Sequence, residues 1–152
     1  MERVMLRKAT LDDARALHGA LREEDLRECR AAGVSGYGAL RGAFDPIGAE
    51  VYAAIYLPTG EVMALFGSAP VSIAGDEAVV WLLGSRRVDD CKFEYLRLGR
   101  KYLKHLLSRY SKVYNYVEAR SMKSIRFLRM LGFRFLPDKN VNNWLYFEKE
   151  AA

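Results

Sequence analysis

The sequence predicts a single mixed α/β domain spanning residues 1–152, on three observations. Its 152 residues suit one hydrophobic core. Apolar residues recur with a helical period in some segments and form short alternating or continuous runs in others, with turn residues between them. Residues 78–118 read strand, long helix, strand, a crossover that places its two strands parallel in one sheet.

The elements follow in order. Val4 and Leu6 mark a short first strand. Thr10 opens a helix as its N-cap, with Asp13 at the third helical position completing an aspartate version of the capping box. Leu11, Ala14, Leu17, His18 and Leu21 form its apolar stripe, which reads His18 as a packed, hydrogen-bonded side chain rather than a catalytic one. A second helix spans about Glu24 to Ala32 and stops near Gly33. Residues 33–48 hold five of the twelve glycines and read as a mobile connection with room for a short helical turn.

Residues 50–57 and 61–68 flank Pro58-Thr59-Gly60 and predict an antiparallel hairpin, with Pro70 ending its second strand. Gly75-Asp76 marks a turn. The run Ala78 to Leu83 is apolar at every position, as in a central strand covered on both faces. A short polar loop, Gly84 to Asp90, leads into the longest helix, about Asp90 to Tyr110. Leu96, Gly99, Leu103, Leu106 and Tyr110 line its buried side, and Arg97, Arg100, Lys101, Lys104 and Ser108 its outer side. A strand at 113–118, a short helix from Met122 to Leu131 closed by Gly132, and strands at 133–136 and 144–147 complete the chain. The order is β-α-α-β-β-β-α-β-α-β-β, with helices on both faces of a mixed sheet.

Composition excludes several classes. Hydrophobic residues make up 51% and charged residues 28%, which does not describe a disordered chain. No apolar run reaches the roughly 18 residues of a membrane span, and the first residues do not read as a secretory signal, so the expected address is the cytoplasm and no membrane partner is expected. Cys29 and Cys91, with His18 and His105, show neither disulfide nor zinc spacing, so no metal is expected. Residues 1–76 carry 8 Lys and Arg against 11 Asp and Glu, whereas residues 77–152 carry 16 against 8. A basic C-terminal half suits an anionic partner. Lys123, Arg126 and Arg129 share a flank of the last helix, and Lys101, Lys104, Arg109 and Lys112 lie near the end of the preceding one. No helix-turn-helix, finger or aromatic RNA-binding motif accompanies them, which argues against nucleic acid as the partner.

The stretch VEARSMKSIRFLRMLGFRF, residues 117–135, places Leu131-Gly132-Phe133 after a short amphipathic helix fed by a strand, with Ile125 and Leu128 toward the core. With the order of elements, it resembles the GCN5-related N-acetyltransferase (GNAT) superfamily. The resemblance implies an acyltransferase-like fold with acetyl-CoA as donor and a small-molecule or peptide amine as acceptor, near residues 33–48. It implies a pantetheine arm on backbone groups near Leu82 and Leu83. The pyrophosphate would sit on the loop of Ser85, Arg86 and Arg87 at a helix N-terminus, with Ser121 at the start of the last-helix motif. It also implies a general base and a general acid. Glu77 and Glu118 are the candidate bases, and Tyr116, with Tyr114 and Tyr95, the candidate acids.

Three positions depart from the family pattern. The loop GSRRVDDCK holds one glycine, Gly84, and carries Asp89 and Asp90 beside the helix N-terminus. Ser121 stands where asparagine is common, and Leu128 replaces the tyrosine expected four residues before Gly132. WLLGSRRV together with YNYVEARSMKSIRFLRMLGF is also similar to GNAT-like proteins of tailed phages and prophages. That similarity implies a second function, a catalytically degenerate, virion-associated or binding protein whose partners are phage proteins or a second copy of the chain.

Overall fold

The computed structural model describes residues 2–152. It is a mixed α/β fold with one seven-stranded sheet of order β1-β2-β3-β4-β5-β7-β6. Its contacts gather into two compact units, Met1–Ala69 with Trp81–Tyr95, and Pro70–Val80 with Leu96–Ala152.

The first unit opens with β1 (Val4–Lys8), antiparallel to β2 (Glu50–Tyr56), which pairs antiparallel with β3 (Glu61–Pro70). The hairpin turn holds Gly60 at φ +76°, a conformation that glycine adopts freely, and its N–H donates to Tyr56 O at 2.7 Å. Helix α1 (Leu11–His18) begins with the expected capping box, in which the Thr10 hydroxyl accepts from Asp13 N–H and the Asp13 carboxylate accepts from Thr10 N–H at 2.8 Å. Arg7 then clamps the same carboxylate through two bonds of 2.7 and 2.8 Å, which holds it below the usual carboxylate range. Helix α2 runs Glu23–Ala31.

The glycine-rich connection is more ordered than its composition predicts. Residues Gly36–Gly42 form helix α3, capped by Ser35, whose Oγ accepts from Gly38 N–H at 2.9 Å. Leu40 is fully buried among Leu17, Leu21 and Leu65, and that burial outweighs the backbone entropy of three helical glycines. His18 corrects a second expectation. Helix α1 ends there, so the ring is exposed and meets Tyr37 edge-on with centroids 5.2 Å apart. Leu11 is exposed for the same reason of position, at the open first turn.

Strand β4 (Glu77–Gly84) is less deeply covered than an all-apolar run suggests: Ala78 and Val80 are buried, but Trp81, Leu82 and Leu83 are only partly so. The polar loop after it contains a one-turn helix, α4 (Arg87–Asp90), and the long helix α5 starts later than expected, at Lys92, ending at Leu107.

In the second unit β5 (Lys112–Glu118) runs parallel to the first half of β4 and antiparallel to β7 (Trp144–Glu150), and β6 is only Arg134–Phe135. Helix α6 (Met122–Met130) closes as predicted, with Gly132 at φ +93° beyond its last turn. Leu96, Leu103 and Leu106 of α5 and Ile125 of α6 pack with Val80, Val113, Val117, Phe133 and Phe147 into one core. Gly99 lets the helices approach: a Cβ there would lie 2.9 Å from the Leu131 side chain.

Candidate functional site

The end of β4 is the part of the first unit from which a GNAT-like coenzyme site would be built. At Gly84 and Ser85, just beyond Leu82 and Leu83, the chain bonds the backbone itself. The Gly84 N–H donates to the Asp25 carboxylate at 2.8 Å, and Gly84 O accepts from Arg22 N–H at 2.9 Å. Leu21 forms an antiparallel bridge with Ser85, whose N–H donates to Met63 O at 2.8 Å. The segment entering α2 is therefore bridged to the terminus of β4 at this one residue pair.

A buried ion pair fixes that segment. Arg22 and Asp25 are 7% and 4% exposed, and the guanidinium meets the carboxylate at 3.1 and 3.3 Å. Burial pushes the Asp25 carboxyl up, while Arg22 and the Gly84 amide pull it back. Arg22 also approaches Asp89 at 3.9 Å.

The loop after Gly84 is likewise satisfied from within. Ser85 Oγ accepts from Arg87 N–H at 3.2 Å, and Ser85 O accepts from Val88 N–H at 3.1 Å. Asp89 N–H donates to Arg86 O and Cys91 N–H to Val88 O. Arg87 is not poised for phosphate: it binds Glu61 at 3.0 Å and Asp90 at 3.2 Å and stacks 4.4 Å over the Tyr56 ring. Arg86 is exposed. Cys91 is fully buried and its thiol pushed up by that burial. Tyr95 is buried with its hydroxyl unpaired, and burial raises its phenol, which makes it a poor proton donor.

A coenzyme A pyrophosphate requires free backbone N–H groups and local positive charge. The loop spends amides on itself, places Asp89 and Asp90 at the start of the helical segment, and neutralises Arg87. These residues do not fit the group.

The second unit holds the other expected positions. The parallel ladder between β4 and β5 consists of Glu77, Ala78 and Val79 against Lys112, Val113 and Tyr114, and goes no further. Beyond it the Asn115 side chain takes over, donating to Val80 O at 2.7 Å and accepting from Tyr116 N–H at 2.8 Å. Glu77 is paired with Lys112 at 3.5 Å. Glu118 is buried and bound to Arg120 at 2.5 Å, where it also accepts from the Arg120 N–H. Tyr116 is exposed and meets Tyr146 edge-on at 5.4 Å. Ser121 is buried at the start of α6, where its carbonyl accepts from Ile125 N–H at 3.0 Å. Glu77 and Glu118 thus both stand in ion pairs.

Sequence reasoning missed Arg22, Asp25 and Asn115, and also a network around Glu148. That carboxylate is 2% exposed yet accepts from Arg134 at 2.8 Å and from the Tyr146 hydroxyl at 2.9 Å, with Lys139 and Lys112 at 3.7 and 3.9 Å. Burial alone would raise Glu148, but these donors bring it down to about 2. Among the described residues no cluster of metal-ligating side chains occurs, and no helix is long and apolar enough to cross a membrane.

Solved structures show the fold. The chain superposes on a GNAT-family acetyltransferase from Bacillus anthracis with a TM-score of 0.72 and 13% identity, covering 99% of this chain and 96% of that one. A spermidine N-acetyltransferase chimera from Vibrio cholerae and hSSAT gives the same figures. The aminoglycoside acetyltransferase AAC(6')-Ib, in complex with ribostamycin and coenzyme A, gives a TM-score of 0.69 at 16% identity, over 98% of this chain and 94% of that one. None of the curated proteins matches. Residues 61–139, just over half of the chain, match the model of a phage family, and on that match the protein belongs to the family described as Bacteriophage T7, probable scaffold protein Gp13.

Proposed function

We propose that this chain is a GNAT-fold protein of phage particle assembly that does not transfer acyl groups. One observation carries the reading: Gly84, at the end of β4, has its N–H on Asp25 and its carbonyl on Arg22. A pantetheine arm adds to free strand-edge amides, and at Gly84 the chain supplies its own partner. The phosphate loop supports the same reading, because Arg87 is committed to Glu61 and Asp90. Leu128 in place of the expected tyrosine also leaves that position without a proton donor. The family's description as a probable scaffold protein supports a role among phage proteins, with virion association as the expected address.

A second reading has its own observation. The β4–β5 ladder stops after Val79–Tyr114, and AAC(6')-Ib, of similar fold, holds coenzyme A. Under that reading the chain would be an acetyl-CoA-dependent N-acetyltransferase acting on an amine.

Isothermal titration separates the two. Acetyl-CoA added to millimolar concentration should give no saturable heat. A saturable isotherm with one site per chain would overturn the proposal and favour acyl transfer. In a phage that encodes the chain, mass spectrometry should find it in purified proheads or particles. Its absence from both would remove the assembly role.

A further inference from the structure

The fold of the second unit sorts charge onto one side of its sheet. Residues 96–111 and 119–134, which carry most of α5 and all of α6, contain ten Lys and Arg and no Asp or Glu. The six acids of this unit lie elsewhere. Side chains alternate across a strand, so Val113 and Val117 of β5 and Phe147 of β7, which pack in the helix-side core, put their neighbours on the far face. Those neighbours include Glu118, Glu148 and Glu150, and Glu77 stands opposite to buried Ala78 in the same way. Glu118 and Glu148 are buried in ion pairs, Glu150 pairs with Arg134, and Glu77 pairs with Lys112. The remaining two, Asp76 and Asp138, lie in a turn and a 3-10 turn.

The two helices of this side therefore present cations, and the acid that reaches their edge is Glu150, which lines a groove with Arg100 and Lys104 and is paired with Arg134. Arg100, Lys101 and Lys104 are exposed on α5 at spacings of one to four residues, and Arg126 and Arg129 are exposed on α6. Two contacts order the layer. Arg100 Nη2 donates to Met130 O at 3.2 Å, tying α5 to α6, and Arg129 lies 5.1 Å over the Phe135 ring. Arg97 and Lys123 extend the two rows.

The missing recognition motifs argue against a sequence-reading partner but not against phosphate contact, and, revising that expectation, we propose that this helical layer binds duplex nucleic acid through its phosphates, without reading sequence. A row from Arg97 to Lys104 rises about 10 Å along its helix axis, and a duplex presents about six phosphate charges over that length. Tyr102, Tyr110 and Phe127 are all partly buried, and the exposed aromatic side chain of these two helices is Phe93, at the first turn of α5 before Arg97. Stacking of unpaired bases would need such a platform. One ring at the end of a cationic row offers no succession of stacking platforms for consecutive bases, so charge matching selects the duplex over a single strand. Duplex binding at this face does not depend on what the coenzyme loop does.

Fluorescence anisotropy with a fluorescein-labelled 24-base-pair duplex of mixed sequence, between 25 and 200 mM NaCl, tests the proposal. Log affinity should fall linearly with log salt. The variant Lys101→Gln/Lys104→Gln/Arg126→Gln/Arg129→Gln should weaken binding at 50 mM salt at least about tenfold and reduce the salt slope by about 3 to 4. Its circular dichroism and melting should match the parent. The two half-variants, Lys101→Gln/Lys104→Gln and Arg126→Gln/Arg129→Gln, should each reduce the slope by about 2, which keeps the test open if the fourfold variant misfolds. Arg30→Gln, on an exposed side chain of α2, should leave binding unchanged. No binding at 25 mM salt, or an unchanged slope in the variants, would overturn the proposal. So would tighter binding of a single-stranded oligonucleotide, or tighter binding of poly-glutamate, which would assign the face to an acidic protein segment.

Discussion

Asp25→Ala should destabilise the protein by about 3–5 kcal/mol, because it leaves a buried guanidinium without its counter-charge. Two groups lose their partner at once. Arg22, 7% exposed, loses its hydrogen-bonded carboxylate and keeps the longer-range attraction of Glu24 and of Asp89, the latter at 3.9 Å, and the Gly84 N–H loses its acceptor. Each stays too buried to recover full hydration, so the penalty is that of unmet desolvation. Urea denaturation followed by circular dichroism measures the loss. Asp25→Asn retains an acceptor for Gly84 and should fall between the parent and the alanine variant. If Asp25→Ala melts with the parent, the pair does not hold the segment against β4.

The second large effect is acid sensitivity centred on Glu148. Its carboxyl is held at about 2 against an ordinary 4.5, despite burial, by Arg134, Tyr146 and Lys112. A carboxyl lowered in the folded state contributes stability above its unfolded pKa and loses it as pH falls through the folded one. The contribution is complete above about pH 5 and disappears between about 4.5 and 2. Arg134 is 60% exposed, and water screens its share, so the loss is about 2 kcal/mol rather than the full value of the shift. Tyr146, pushed up to about 12 by burial and by Glu148, remains a donor throughout. Glu148→Gln should flatten the dependence of melting temperature on pH below 5. An equally steep acid limb in the variant would place the titrating group elsewhere.

Local chemistry was legible in the sequence. Thr10 and Asp13 stand at capping-box spacing, Pro58-Thr59-Gly60 marks the hairpin, Gly132 ends α6, and the parallel crossover follows from strand, helix, strand. Where the reading failed, tertiary contacts decide the outcome. The glycines of α3 read as a loop because nothing local announces that Leu40 enters the core. Helix α4 is one turn long, too short for a periodic signal, and depends on Ser85 accepting from Arg87 N–H. At the candidate site Arg22 and Asp25 look like an ordinary surface pair at helical spacing. Their burial comes from Gly84, 59 positions away from Asp25, and no pattern in chain order joins them. The charge sorting of the second unit needs both the strand pairing and the core to be known, since the acids of β5 and β7 lie close in sequence to the cations of α5 and α6.

Amide hydrogen exchange at Gly84, followed by NMR with and without acetyl-CoA, reaches the closed strand edge directly. A protected Gly84 N–H is expected, deprotected in Asp25→Ala and unchanged in shift and rate by millimolar acetyl-CoA. Fast exchange in the parent, or a shift and new protection on adding the coenzyme, would contradict the account.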